Sequence, residues 1–184
     1  LYLLSTFRQT FAMKFLSALI LALTVNALAV NSLEQEFTCP IDGHRWKQRI
    51  ETSSNPHGMR LDRRELGDVV EPRTLPQCPK CLFVMFLDKF SEPLIEKIRP
   101  FVLSADYRII AAKNTTYFSL AQIQEFLGPE IAPPLFTGQS YLRASWQVED
   151  KDAICQRYLA RALNKIVLAL NAMKPGDRHY INTA

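Results

Sequence analysis

Two Cys-Pro segments constrain how this 184-residue chain can fold. The first reads Cys39-Pro40-Ile41-Asp42-Gly43-His44, and the second reads Cys78-Pro79-Lys80-Cys81. Turns of this composition aim side chains and backbone N–H groups at one point, and a pair of them is typical of a thiolate metal site. In the first segment, Asp42 stands where a second cysteine would complete the C-x-x-C pattern. The two segments therefore predict a small metal-binding module within a larger globular protein.

Three of the four cysteines belong to this pattern, namely Cys39, Cys78 and Cys81. Three is an awkward number for disulfides, but it suits a Cys₃His or Cys₃Asp site. The fourth, Cys155, lies in an amphipathic helical stretch and is interpreted as a small core residue.

The fourth metal ligand is open among three residues. His44, five residues after Cys39, is the first candidate, with Asp42 as the alternative and His57 as a further fallback. A tetrahedral zinc ion accepts thiolate, imidazole and carboxylate ligands together. The sequence therefore predicts a zinc site made of Cys39, Cys78, Cys81 and one of these residues.

The second segment has a different interpretation as a redox pair. In an exported protein, Cys78 and Cys81 match the C-x-x-C of thiol–disulfide oxidoreductases. Such a site follows a buried strand and opens a helix, whereas residues 70–77 contain two prolines and form a poor buried strand. We therefore expect metal or structural use, with redox use as the alternative and an exchangeable metal-handling site as another.

The N-terminus has the features of a targeting segment. Met13-Lys14 gives a charged start, residues 15–25 are an apolar run, and Ala27-Leu28-Ala29 is a small-x-small cleavage site. We expect a cleaved signal peptide over residues 1–29, with residues 1–12 as a start-site artefact upstream of Met13. The alternatives are a membrane anchor or a buried first helix, but the run is short for a span. The expected location is periplasmic or secreted, with no stable membrane span after cleavage.

Charge and motifs exclude several functions. The net charge of +4 falls to +2 once residues 1–29 are removed, which gives no electrostatic reason to expect nucleic acid. The chain contains no nucleophile elbow, phosphate loop, dinucleotide fingerprint or H-E-x-x-H motif. We expect a non-enzymatic protein, with no catalytic residue assigned.

Periodicity gives the remaining elements. Residues 30–36 are predicted to be a mobile lead-in, and residues 45–52 alternate like a strand of a small hairpin. Ser91-Glu92-Pro93 predicts a helix that runs to about Leu103, whereas residues 107–113 are predicted to be a short strand or a bend.

Two further helical regions follow along the chain. Ser119 is predicted to cap a helix that ends at Gly128-Pro129, and Pro133-Pro134 is predicted to be a hinge. Helices over 138–147 and 152–173 are predicted to form an αα-hairpin.

A family resemblance connects these parts. Cys39-Pro40 with Gly43, the segment Cys78-Pro79-Lys80-Cys81, and Tyr141-Leu142-Arg143-Ala144-Ser145-Trp146 give a pattern over residues 37–184. This pattern resembles an uncharacterised bacterial family, domain of unknown function 2225. The resemblance implies a zinc-ribbon-like front and tetratricopeptide-like helices, with Cys39, Cys78 and Cys81 as ligands. Asp42 and Leu82 depart from it, because the family pattern has cysteine and glycine there.

The sequence thus predicts an α+β protein. A zinc-ribbon-like module over residues 37–90 precedes a mainly helical region over residues 91–184, which is interpreted as tetratricopeptide-like and cut short. The expected function is that of an exported structural or protein-interaction protein with a structural zinc, which binds a protein partner through its helices. The oligomeric state is not predicted.

Overall fold

The computed structural model describes residues 32–51, 55–67, 69, 71–149 and 151–173. The predicted signal peptide over 1–29 and the predicted truncated end of the chain, from residue 177 onward, lie outside the described residues. Of the helices in this described part, none combines the length and hydropathy needed to cross a membrane.

The first Cys-Pro segment closes a β-hairpin. Strand β1 (Ser32–Thr38) pairs antiparallel with strand β2 (Arg45–Glu51), with Phe37 opposite Trp46. The prediction of a strand from residue 45 is confirmed, but the mobile lead-in over residues 30–36 is wrong from residue 32 onward. Strand β1 is mostly exposed and polar, so it lacks the apolar alternation that reveals a strand in a sequence. Its pairing uses backbone hydrogen bonds and the Phe37–Trp46 ring stack, whose centroids are 5.4 Å apart.

A second, smaller hairpin lies within the long polar connection between the Cys-Pro segments. Strands β3 (Gly58–Met59) and β4 (Glu65–Leu66) pair antiparallel. Arg60 and Arg64 of this hairpin both form ion pairs with Glu149, far along the chain. The connection is therefore fastened to the helical region.

Five helices follow in the described chain between residues 92 and 172. The helices are α1 (Glu92–Val102), α2 (Ala105–Lys113), α3 (Thr116–Leu127), α4 (Pro134–Trp146) and α5 (Asp152–Ala172). With two small antiparallel sheets before these helices, the fold is α+β with a mostly helical C-terminal part, which confirms the predicted class at that level.

The prediction for α1 is confirmed, but that for residues 107–113 is wrong. Helix α1 follows Ser91, contains Pro93 in its first turn, and continues through Pro100 to Val102. Residues 107–113 belong to helix α2, which Ser104 caps by accepting a hydrogen bond from the N–H of Tyr107 at 3.2 Å. Exposed and buried residues mix along α2, so periodicity gave a weak indication of a helix.

Two helix starts also differ from the predictions. Thr115, not Ser119, caps α3, and its hydroxyl accepts from the N–H of Phe118 at 3.3 Å. Ser119 lies inside that helix and donates to the carbonyl of Thr115 at 3.1 Å. Helix α4 begins at Pro134 rather than at Gly138, because proline is favourable in a first helical turn.

Helices α4 and α5 pack closely on each other after a short turn, as the predicted αα-hairpin requires. Gly138 allows the close approach, because a Cβ at this position would lie 2.8 Å from Cγ1 of Ile166. Aromatic contacts among Phe118, Tyr141 and Tyr158 fill the space between α3, α4 and α5.

One buried cluster joins the Cys-Pro segments to the helices. Its fully or nearly fully buried members are Cys39, Ile41, Cys78, Cys81, Phe83, Ile95, Ile98, Val102, Tyr107, Ala111, Ile123, Leu127 and Ala132. The two predicted regions, 37–90 and 91–184, therefore share a hydrophobic core. Residues of helices α1, α2 and α3 belong to the same buried cluster as the three cysteines.

Candidate metal centre

The first knuckle, residues 39–44, is a tight turn between β1 and β2. The N–H of Cys39 donates to the carbonyl of His44, and the N–H of Gly43 donates to the carbonyl of Cys39, both at 2.9 Å. Gly43 has φ of +70°, a left-handed conformation that glycine adopts without steric cost. The backbone thereby turns both Cys39 and Asp42 to the same side.

The second knuckle, residues 78–83, repeats this turn bond for bond. The N–H of Cys78 donates to the carbonyl of Phe83, and the N–H of Leu82 donates to the carbonyl of Cys78, again both at 2.9 Å. Leu82 has φ of +63° and so occupies the conformation that Gly43 occupies in the first knuckle. An isolated antiparallel bridge between Gln77 and Val84 closes the base of the turn.

The two knuckles bring four donor groups together. The Sγ atoms of Cys39, Cys78 and Cys81 and a carboxylate oxygen of Asp42 all lie within 4.8 Å of one another. Cys39 Sγ lies 3.4 Å from Cys81 Sγ, and Cys78 Sγ lies 3.7 Å from Asp42 Oδ1. The three cysteines are buried, with at most 1% of each exposed. These four residues lie close enough together to bind a metal ion.

The surroundings of Cys39 and Cys78 favour the protonated form of both thiols. The contact with Cys81, followed by burial, raises the pKa of Cys39, and burial raises the pKa of Cys78. A divalent cation reverses this balance because thiolates are its ligands, so metal binding at this site must release protons.

The surroundings of Asp42 favour its ionised carboxylate. Burial opposes its ionisation, but a hydrogen bond from the backbone N–H of His44 at 3.0 Å and contacts with the thiols of Cys39 and Cys81 lower its pKa. The positive charge of Lys80 acts in the same direction. The carboxylate is therefore available as a ligand at neutral pH.

A side chain from a helix donates a hydrogen bond to a backbone carbonyl in each knuckle. Arg99 of α1 donates through Nη1 to the carbonyl of Ile41 in the first knuckle. Tyr107 of α2 donates its hydroxyl to the carbonyl of Leu82 at 2.9 Å, and Gln77 donates its side-chain amide to the same oxygen at 3.0 Å. Burial raises the pKa of Tyr107, so its hydroxyl keeps the proton that it donates.

The predicted cysteine ligands come together, and Asp42 completes the group of four. His44 is not one of the four: its ring stacks near Trp46, with 6.5 Å between the ring centroids. His57 is exposed in the connection before β3 and is also outside the group. Cys155 lies half-buried in α5, packed against the buried cluster that contains Phe118, Tyr141 and Tyr158.

Sequence reasoning missed the two supporting side chains, Arg99 and Tyr107. Their partners are 58 and 25 residues away in the chain, and no local pattern predicts contacts over such distances. The placement of Tyr107 at a helix start after a capping serine was the one available indication of its orientation.

No known protein family, curated protein or solved structure matches this chain.

Proposed function

We propose that Cys39, Asp42, Cys78 and Cys81 bind a structural zinc ion that joins the two knuckles, in a non-enzymatic protein-interaction protein. The convergence of four buried donors carries this proposal. Tetrahedral zinc with Zn–S bonds of about 2.3 Å needs sulfurs about 3.8 Å apart. The 3.4 Å and 3.7 Å separations between donors across the knuckles are close to this requirement.

Zinc suits the donor set better than other common ions. Soft thiolates select zinc over magnesium or calcium, which prefer oxygen ligands, and a single carboxylate is an accepted fourth zinc ligand. Asp42 is favoured over His44 as that ligand because it occupies, in the first knuckle, the position that Cys81 occupies in the second.

A structural role fits the site better than a catalytic one. Four protein ligands leave no open position for water or substrate, and three thiolates reduce the acidity of a bound metal. Metal handling is a weaker alternative, because the three sulfurs are almost completely buried and an exchanging ion needs access.

The redox alternative also has little support. A thioredoxin-type pair lies at a helix N-terminus with an accessible attacking sulfur. Here the first helix after Cys81 begins at Glu92, and Cys78 and Cys81 are both 0% exposed. We therefore rank a structural zinc first.

We also propose that the chain has a zinc-ribbon-like front and a tetratricopeptide-like helix pair, as its resemblance to domain of unknown function 2225 implies. Two matched knuckles beside a β-hairpin support a zinc-ribbon-like front. Small buried residues between α4 and α5, such as Ala144 and Ala162, support a tetratricopeptide-like helix pair. Export to the periplasm or outside the cell remains a proposal from residues 1–29.

The helical region offers a surface for a protein partner. Leu159, Leu163, Val167 and Leu170 are exposed at helical spacing along one side of α5, which we call the α5 stripe. From residue 153 to its end, α5 carries basic residues and no acidic one. We propose that the partner contributes an amphipathic helix with apolar residues at helical spacing and acidic flanks.

The metal proposal is tested by metal content together with a thiol count on full-length protein purified without chelator. We expect about one zinc per chain, with Cys39, Cys78 and Cys81 protected from thiol reagents until a chelator is added. No metal, together with a Cys78–Cys81 disulfide, would overturn it and favour the redox alternative.

A pair of substitutions identifies the fourth ligand. Asp42→Ala should lower zinc affinity strongly, whereas His44→Ala should leave it nearly unchanged because His44 lies outside the donor group. Asp42→Cys should retain zinc and bind it more tightly, since it restores a fourth thiolate. The reverse order for Asp42→Ala and His44→Ala would assign the ligand role to His44.

The α5 stripe is tested with a photo-crosslinking residue at position 163, compared with the same residue at the exposed position 108 of α2. We expect crosslinks specific to position 163 that map to an acidic helical segment of another protein. Crosslinks to this chain itself would identify a second copy as the occupant instead, and equal crosslinking at both positions would contradict a docking surface.

A further inference from the structure

Two close contacts among the donors join one knuckle to the other, although Cys39 also interacts with Asp42, and Cys78 with Cys81, within each knuckle. Cys39 Sγ contacts Cys81 Sγ at 3.4 Å, and Cys78 Sγ contacts Asp42 Oδ1 at 3.7 Å and Oδ2 at 3.9 Å. The first position of each knuckle therefore faces the last ligand position of the other. Because Asp42 replaces a cysteine, one of these two cross-pairs contains two sulfurs and the other contains one.

We propose that oxidation of this centre links Cys39 to Cys81, rather than Cys78 to Cys81, and that this disulfide holds the knuckles together after the metal has left. The inference deepens the proposed zinc site by giving it an oxidised form, and it concerns the same four residues. The pairing depends on geometry that exists with or without a bound ion.

Two geometric observations favour the cross-knuckle pair. The Cys39 and Cys81 sulfurs are 3.4 Å apart, and rotation about side-chain bonds can bring them to a bonding distance of about 2.05 Å. The third sulfur, on Cys78, lies 3.7 Å from a carboxylate oxygen of Asp42, which cannot form a disulfide. Once formed, a bond between residues 39 and 81 closes a far longer loop than one between residues 78 and 81, so it restricts the unfolded chain more, as the holding role requires.

The chemistry requires a low-molecular-weight disulfide as the oxidant. One of the two cysteine sulfurs, as its thiolate, attacks a sulfur of the oxidant; the oxidant's S–S bond breaks and one thiolate leaves. The other cysteine loses its proton and attacks the mixed disulfide, which releases the second thiolate. The two protons from the cysteines end on the two released thiols, and the oxidant gains the two electrons that the cysteines lose.

Burial makes metal loss the first step. Cys39 is 1% exposed and Cys81 is 0% exposed, so an oxidant reaches them only when the knuckles open. A bound ion occupies the sulfur lone pairs and keeps the knuckles closed, and its removal permits both attack and pairing.

Trypsin distinguishes the three possible disulfides among Cys39, Cys78 and Cys81, because it cleaves after Lys80, between Cys78 and Cys81. Full-length protein is treated with a chelator and then with glutathione disulfide, free thiols are alkylated, and a non-reducing tryptic digest is analysed by mass spectrometry. We expect the peptide that contains Cys39 to be linked to residues 81–89, and residues 74–80 to carry an alkylated Cys78. A link from residues 74–80 to either the Cys39 peptide or residues 81–89, or no disulfide at all, would overturn the inference.

Two cysteine variants and a thermal melt of the wild-type protein test the inference without relying on one variant that might fail to fold. Cys78→Ser should still form the Cys39–Cys81 bond, whereas Cys39→Ser should lose it. The oxidised, chelated wild-type protein should melt at a higher temperature than the reduced, chelated protein, and equal melting temperatures would contradict the holding role.

The outcomes also separate this inference from the proposed zinc function. Protein that carries no metal as purified but forms the 39–81 link would contradict the zinc site and support the inference. Protein that carries zinc but forms the 78–81 link after chelation would support the zinc site and contradict the inference.

Discussion

The two knuckles have the same backbone and different residues. Each donates from its first N–H to a carbonyl five residues on, and each accepts at its first carbonyl from an N–H four residues on. The first has Asp42 and Gly43 at its ligand and left-handed positions, and the second has Cys81 and Leu82. The comparison shows that the same backbone turn accepts either aspartate or cysteine at the donor position and either glycine or leucine at the left-handed position.

Leu82 shows that the turn does not require glycine. A non-glycine residue in the left-handed region costs about 1–2 kcal/mol. In the second knuckle, the carbonyl of Leu82 accepts hydrogen bonds from Tyr107 and Gln77, and each such bond contributes about 0.5–1.5 kcal/mol. The two bonds offset the cost of the backbone conformation, whereas the first knuckle avoids that cost with Gly43.

The largest effect should come from removing a thiolate that both knuckles depend on. Cys81→Ser should abolish metal binding and lower the free energy of unfolding by about 5 kcal/mol or more, because structural zinc contributes directly to folding. Zinc content and circular-dichroism melts measure this. The matched control, Cys155→Ser, changes a half-buried cysteine outside the site and should cost about 1 kcal/mol or less. Equal losses for the two variants would contradict a structural metal.

Making the first knuckle resemble the second should have the next largest effect. Gly43→Leu should lower the free energy of unfolding by about 1–2 kcal/mol, because the left-handed backbone is strained for leucine and an added Cβ would meet no atom within 4 Å that could compensate. Urea unfolding of the metal-loaded protein measures the change. As a control, Gly58→Ala alters a glycine at ordinary φ and should stay within about 0.5 kcal/mol. A Gly43→Leu variant as stable as wild type would mean that the first knuckle tolerates leucine unaided.

Removing one of the two hydrogen bonds to the carbonyl of Leu82 should have a smaller effect. Tyr107→Phe keeps the ring in the core but deletes the hydroxyl that donates to Leu82, which should cost about 1 kcal/mol in the free energy of unfolding. The loss stays moderate because Gln77 still donates to the same carbonyl. Chemical denaturation checks this, and a loss above about 3 kcal/mol would assign Tyr107 a larger role than that of one hydrogen bond.

Giving the second knuckle the glycine of the first should have the smallest effect. Leu82→Gly relieves about 1 kcal/mol of backbone strain, but it removes a partly buried side chain and makes the unfolded chain more flexible. These contributions nearly cancel, so the free energy of unfolding should change by less than about 1 kcal/mol. A loss above about 2 kcal/mol would show that packing of the Leu82 side chain dominates over backbone strain.

The sequence predicted that the three cysteines of the Cys-Pro segments come together, and it predicted the α+β class, because both depend on local patterns. Cys-Pro turns identify the knuckles, and 3.6-residue periodicity with proline and glycine boundaries identifies α1 and α5. Strand β1 was missed because its residues are mostly exposed, and the helix at residues 107–113 was missed because its apolar positions are irregular. The contacts of Arg99 and Tyr107 with the knuckles join distant parts of the chain, and these form only when the tertiary structure forms.

Each knuckle is held by a different helix, Arg99 in α1 for the first and Tyr107 in α2 for the second. An ion that binds only this assembled arrangement stabilises the helices as well as the knuckles, by about 2.7 kcal/mol when its free concentration is 100 times its dissociation constant. If the proposed site binds such an ion, the fraction of chains that resist proteolysis would follow the supply of the ion. Metal availability would thereby determine how many copies of the protein survive, before any change in their synthesis.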